Sequence, residues 1–319
     1  MNEDVLIING QKIAKGERRH ISISVAELYD STEMTMEVEV IRGKVDGPTL
    51  FVCSAIHGDE LNGTETIRRI LCDPLLNDIK GTLIAVPIVN TFGFNTKSRY
   101  MPDRRDLNRC FPGSEEGSLG ARLANIFIKE IVQKSSHGID LHTGAINRTN
   151  LPQIRACLSE SPEAESMASD FGTSVILNEP LREGSLREYC HSHGIPVLVY
   201  EGGEALRFHE GSIVAAVDGI IRTMYGLGMI DHVHTVKPTH SIRLVAGSNW
   251  IRCPQSGLLV TSKKLGDAVK QNDLLGVMTD AFGQTKTEIR VPEDGIIIGV
   301  TTTPLLNQGD AAYHIAHYD

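Results

Sequence analysis

His57-Gly58-Asp59-Glu60 follows the apolar run 50–56 and precedes a helical stretch, so a strand end delivers an imidazole and the next turn brings a carboxylate back beside it. Together they offer one nitrogen and one oxygen to a divalent metal. A catalytic zinc takes three protein ligands and keeps a fourth position open for water. His142, within Asp140-Leu141-His142-Thr143-Gly144, lies at the end of another apolar run and supplies the third. His57, Glu60 and His142 therefore form a candidate hydrolytic zinc site with one ion per chain. The competing use of such residues is to cap a helix start through backbone groups.

The elements that must carry these residues follow an α/β pattern up to about residue 235. Short runs rich in Val, Ile and Leu at 49–55, 81–89, 138–141, 174–177 and 196–200 read as buried strands, each followed by polar or glycine-containing loops. Helices are expected over 63–71, starting near Thr64, and over 119–132 with Ser118 as N-cap. In such a sheet, ligands bind in the crevice beyond the strand ends. His57 and His142 both fall there.

From Ser241 onward short β-like runs alternate with Gly, Asp and Asn turns. We expect two domains, a hydrolase over 1–240 and an all-β unit over 241–319. Segments 256–278 and 294–315 share one order of glycine, apolar strand, polar loop, Gly-Asp turn and final strand. They read as an internal repeat, like the two halves of a lipoyl or biotinyl-type flattened β-barrel.

Composition bounds the function. The 319 residues are 41% hydrophobic and 22% charged, which suits a packed enzyme core rather than a disordered chain. A formal charge of −9 disfavours nucleic acid and anionic membranes as partners. No stretch approaches the roughly 20 apolar residues needed to span a bilayer. The six scattered cysteines show no paired structural-zinc spacing and fit reduced thiols in a cytoplasmic protein.

Three further segments join the two histidine motifs: Ser98-Arg99-Tyr100-Met101-Pro102-Asp103, then Asp106-Leu107-Asn108-Arg109-Cys110-Phe111-Pro112-Gly113, and Val199-Tyr200-Glu201-Gly202-Gly203-Glu204. The ordered set resembles the succinylglutamate desuccinylase and aspartoacylase family of the zinc carboxypeptidase clan. The resemblance spans most of residues 50–205, and the β-rich tail fits that family's appended domain. It implies a zinc-carboxypeptidase-like mixed sheet flanked by helices. The positions matching His57, Glu60 and His142 hold zinc, and the carboxylate matching Glu201 is the general base. Asn108 and Arg109 match the pair that grips a substrate carboxylate, and Arg99 the residue that stabilises the carbonyl oxyanion. Arg104 and Arg105 compete for the role of Arg99, and Glu204 for that of Glu201. Asp106 is expected to orient its neighbours.

The residues agree with these assignments. Glu201 ends an apolar strand ahead of Gly202-Gly203, a turn that lets backbone approach a substrate closely. A carboxylate there can take a proton from zinc-activated water and return it to the leaving amine. A guanidinium fork suits a carboxylate. Cys110 has no base beside it in sequence, and His137, His191, His193 and Arg122 lie outside any metal or proton-transfer motif. His191 and His193 are expected in a loop before a strand. The expected activity is hydrolysis of the amide of an N-acyl amino acid or related small carboxylate. A carboxypeptidase-like peptidase and a non-catalytic binding module are the alternatives. The tail is expected to shape the pocket mouth or form a homo-oligomer contact.

Overall fold

Strand Val45–Ser54 alternates its side chains between two cores, and that alternation organises the whole chain. Leu50 and Val52 point into one cluster, Phe51 and Cys53 into another, as successive residues of a strand covered on both faces must. The computed structural model describes residues 5–158, 161–234, 242–245 and 247–317. In chain order its first elements are a small hairpin, β1 (Leu6–Ile8) and β2 (Gln11–Ile13), then β3 (Arg18–Glu27), β4 (Glu33–Arg42), β5 (Val45–Ser54), α1 (Asn62–Leu71), β6 (Lys80–Val86) and α2 (Thr91–Thr96). There follow α3 (Leu119–Glu130), β7 (His137–Gly144), β8 (Arg148–Ala156), α4 (Pro162–Phe171), β9 (Val175–Asn178), α5 (Leu186–Ser192), β10 (Val197–Glu204) and α6 (Glu210–Gly226).

The expected strands and helices are present with shifted ends. Helix α1 starts at Asn62, and Thr64 donates its hydroxyl to the carbonyl of Pro87 instead of capping. Ser118 does cap α3, accepting from the amide of Ala121 at 3.3 Å. His191 lies in α5 and His193 at its C-terminal cap, not in a loop, because Ser185 caps a helix there by accepting from the amide of Glu188.

One mixed sheet runs through the molecule: three strands of the tail, Gly247–Arg252, Ala311–His317 and Gly295–Thr301, come first, and β8-β10-β7-β5-β6-β4-β3 follow in that order. The tail comprises β11 (Arg243–Val245), β12 (Gly247–Arg252), β13 (Gly257–Thr261), β14 (Ala268–Val269), β15 (Leu274–Thr279), β16 (Lys286–Arg290), β17 (Gly295–Thr301), β18 (Leu305–Leu306) and β19 (Ala311–His317). Strands β6, β5, β7 and β10 are parallel, while β8 runs antiparallel to β10. Helices α1, α4 and α6 bury Ile67, Phe171 and Ile220 on one face of the sheet; α3 and α5 bury Phe127 and Leu186 on the other.

Each half of the tail's repeat folds as a long, a short and a long strand. The short strand of each half pairs with the first strand of the other: β14 with β17, β18 with β13. The tail also enters the main sheet, with Arg148, Thr149 and Asn150 of β8 opposite Thr301, Val300 and Gly299 of β17. The boundary expected between 240 and 241 falls in 235–241, outside the described residues. Among those described, no helix is long and apolar enough to cross a membrane.

Candidate active site

The parallel strands β5, β7 and β10 lead to His57 and Glu60, His142 and Glu201 at the end where an α/β sheet opens its crevice, while Arg99, Asn108 and Arg109 come from the segment between α2 and α3. Strand β5 leaves through Ala55 at φ 52°, a left-handed conformation uncommon for a residue with a Cβ, and two residues later presents His57. A Cβ on Gly58 would lie 2.0 Å from the carbonyl carbon of Gly93, so only glycine lets this loop pack against α2. The turn closes with the amide of Glu60 bonded to the carbonyl of His57 at 3.1 Å. Asn62, next along, donates to the carbonyl of Gly202 and accepts from the amide of His209, tying the start of α1 to the end of β10.

His57 and His142 each turn Nδ1 toward Glu60, at 2.8 Å from Oε1 and 2.8 Å from Oε2 respectively. The two Nδ1 atoms are themselves 3.2 Å apart, and one donor atom from each of the three residues falls within 4.8 Å of the others. Each ring's other nitrogen meets a carboxylate: His57 Nε2 is 3.1 Å from Asp106 Oδ1, and His142 Nε2 is 2.8 Å from Asp140 Oδ2. A neutral imidazole donating from Nε2 keeps its lone pair on Nδ1. Two lone pairs and a buried carboxylate then face one small volume, an arrangement that needs positive charge. The donor set, with its outer carboxylates, fits a divalent cation such as zinc.

Without an ion, protons must supply that charge. Burial pushes the His142 pKa down, but the Asp140 and Glu60 carboxylates outweigh it and hold the ring well above the usual histidine value. His57 is raised too, by Glu60 and Asp106 against the same burial penalty. Burial favours protonation of Glu60, yet the two rings keep its carboxyl well below the usual range.

A small cavity of about 110 Å³ opens over this group. Its wall includes His57, His142, Arg99, Asn108, Arg109 and Glu201, so all the sequence-predicted site residues meet here, with Glu60 beneath. Arg99 pairs with Glu60 Oε1 at 3.2 Å and Asp106 Oδ2 at 3.1 Å. Arg104 and Arg105 are exposed and do not line the cavity. The amide of Leu186 bonds Asn108 Oδ1 at 3.0 Å, leaving the side-chain nitrogen as the group with hydrogens to donate. Asp106 joins His57, Arg99 and the amide of Asn108, an orienting position.

Glu201 does not end its strand. Strand β10 continues to Glu204 through a bulge, and Glu201 sits opposite His142 of β7. Glu204 is turned elsewhere, accepting from the amide of Asn147 at 3.0 Å. Cys110 donates to the carbonyl of Asp106, and burial raises its thiol pKa, as suits packing rather than nucleophilic attack.

Sequence reasoning missed Asp140, although a strand puts residues i and i+2 on one face, so Asp140 and His142 were bound to point together. It also missed Arg155, Glu179, Arg182 and Arg187, which line the far side of the cavity and belong to no motif. Arg155 reaches Glu179 at 3.3 Å. Its Nε, like Arg187 Nη1, is buried without a hydrogen-bond partner among the described residues.

The succinylglutamate desuccinylase/aspartoacylase catalytic-domain profile matches residues 46–227, more than half of the chain and the stretch that builds this cavity. The chain belongs to the succinylglutamate desuccinylase/aspartoacylase family. An N-alpha-acetyl-L-2,4-diaminobutyric acid deacetylase of Halomonas elongata is 25% identical over 282 residues, covering 85% of this chain and 82% of that protein. Among solved structures, the product-bound ectoine utilization protein EutE (DoeB) of Ruegeria pomeroyi superposes with a TM-score of 0.82 at 22% identity, covering 94% of each chain. A succinylglutamate desuccinylase/aspartoacylase of Rhodobacter sphaeroides gives 0.83 at 20% identity, covering 95% of each. At these identities the two structures show that the family fold extends across the tail.

Proposed function

We propose that this family member is a zinc-dependent deacylase that hydrolyses the amide of an N-acyl amino acid or related small carboxylate. The observation that carries the reading is the convergence of His57, Glu60 and His142 under the cavity that Glu201, Arg99, Asn108 and Arg109 line. The Halomonas relative, named for deacetylating an N-acetylated amino acid, supports the reaction class.

His57, Glu60 and His142 would hold one zinc per chain, which would supply Lewis acidity toward water and the amide carbonyl. Glu201 takes the proton from the attacking water and returns it to the leaving amine. Arg99 stabilises the oxyanion that forms on the carbonyl. Asn108 and Arg109 fix the substrate through its carboxylate. Residues 1–240 form the hydrolase unit and 241–319 a lipoyl-like flattened barrel, a reading supported by the exchange of short strands between the two repeats. A cytoplasmic location fits six cysteines that are all free thiols.

The test is metal content of the purified protein together with hydrolysis of N-acetyl and N-succinyl amino acids and short peptides, before and after chelation and zinc restoration. We expect one zinc per chain and zinc-restorable release of a free amine. Glu201→Ala should keep zinc and lose nearly all turnover, about 10²-fold or more, while His57→Ala loses both. Cleavage of peptides alone, or full activity in Glu201→Ala, overturns the proposal.

A further inference from the structure

Glu201 does not stand alone at the cavity wall. Its Oε2 accepts a hydrogen bond of 2.9 Å from the side-chain nitrogen of Asn150, on the neighbouring strand β8. Its Oε1 lies 3.9 Å from Arg155 Nε, too far for a hydrogen bond. With one oxygen tethered, Oε1 is left to take up a proton.

What orients Asn150 comes from the tail of the chain. Asn150 is the register partner of Gly299 in β17 and is buried, with 7% exposure. A Cβ on Gly299 would lie 3.1 Å from Asn150 Oδ1 and 3.0 Å from the Cβ of His314. Both contacts are tighter than most that a Cβ makes, so a side chain at 299 would push on the Asn150 amide or on His314, and the ring of His314 is itself stacked on Trp250 at 4.5 Å. The Asn150 amide thus lies in space that exists because residue 299 has no side chain, its oxygen toward β17 and its nitrogen toward Glu201.

We propose that Asn150 is a positioning residue for the general base, and that Gly299 of the C-terminal β-region holds it in place, so that the tail acts on catalysis through this one amide. The proposal rests on Glu201 being the base. It accounts for a buried asparagine on β8 where packing alone would favour an apolar residue, and for the glycine that interrupts the apolar middle of β17, Ile-Ile-Ile-Gly-Val.

The experiment measures kcat, KM and zinc content for the zinc-loaded full chain with Asn150→Ala, Asn150→Asp, Gly299→Val, the double variant Asn150→Ala/Gly299→Val, and Glu201→Ala as reference. Asn150→Asp keeps the shape while replacing the donor by a carboxylate, so it separates loss of the bond from loss of packing. We expect kcat to fall about 10–100-fold, the worth of one hydrogen bond to a charged group, with KM within about twofold and zinc retained. Asn150→Asp should be the worse of the two single changes at that position. Gly299→Val should reproduce the kcat loss in the wild-type background and add almost nothing once Asn150 is already alanine. Wild-type kcat in both Asn150 variants overturns the proposal when Glu201→Ala is inactive, and leaves the deacylase reading standing. Full additivity of Gly299→Val with Asn150→Ala removes the link to the tail. An active Glu201→Ala removes the base assignment itself, and this inference with it.

Discussion

Replacing Asp140 by asparagine isolates what a buried carboxylate behind a metal ligand is worth. Asp140 is 1% exposed; its Oδ2 meets His142 Nε2 at 2.8 Å, and the thiol of Cys53 donates to its Oδ1 at 3.4 Å. Asparagine has nearly the same shape, so packing in β7 survives and the change is electrostatic. If the amide oxygen faces His142, a charge-assisted bond becomes a neutral one, a loss of about 1–2 kcal/mol. That is roughly a 5–30-fold weaker grip on the ion at 1.4 kcal/mol per decade. If the amide nitrogen faces the ring instead, His142 must accept at Nε2 and carry its proton on Nδ1. That is the atom turned toward Glu60 and His57, and the ligand is lost. Together the two orientations predict a zinc Kd raised about 10–100-fold, the range typical of outer partners of metal-bound histidines. Competition against a chromophoric chelator measures it, with thermal unfolding as the check that the fold is intact. A folded Asp140→Asn protein whose zinc Kd stays within about twofold of wild type refutes the argument that Asp140 sets the tautomer of His142.

Two other expectations concern the clamp and removal of the metal. Arg109→Lys keeps the charge but loses the planar fork; kcat/KM should drop roughly 10–100-fold with zinc content unchanged, and a loss under about twofold would remove Arg109 from substrate binding. Metal removal should make stability depend on pH in a definite sense. The raised pKa values of His57 and His142 in the metal-free protein give stability that is fully present below the ordinary histidine value of 6.5 and is lost as pH climbs through the raised ones. Zinc replaces those protons, so the Tm gap between zinc-loaded and chelated protein should widen as pH rises above 6.5. A gap that narrows as pH rises contradicts the charge account of the site.

Much of the site was legible because buried parallel strands read as largely apolar runs. Leu50 to Ile56, broken only by Ser54, and Val197 to Tyr200 stand out, as does the shorter Ile139-Asp140-Leu141, and the polar residues just beyond them lie at the crevice end of the sheet. Strand β10 runs three residues past the end its sequence suggests, since Glu201-Gly202-Gly203-Glu204 has the composition of a turn while the backbone keeps its pairing to β7 and β8 across a bulge. The hairpin of β3 and β4 shows a clean alternation, Ile21, Ile23 and Val25 inward, but it lies away from every motif.

Strand β8 escaped for a reason that bears on function. Its sequence, Arg148-Thr149-Asn150-Leu151-Pro152-Gln153-Ile154-Arg155-Ala156, reads as a loop because asparagine and proline are depleted in strands. Two of the polar positions belong to the site: Asn150 donates to Glu201, and Arg155 lines the cavity wall. Pro152 is explained by the sheet. On one edge β8 pairs β17 through Arg148–Asn150 and β9 through Gln153–Ala156, and on the other its pairing with β10 shifts register between Asn150 and Gln153. A residue without an amide hydrogen fits at that changeover, where the ladder is already interrupted. The same interruption admits β17 to the sheet beside the catalytic strands. An unbroken apolar strand in place of β8 would pack the sheet equally well, but it would leave Glu201 untethered and give the C-terminal strands no side chain through which to reach it.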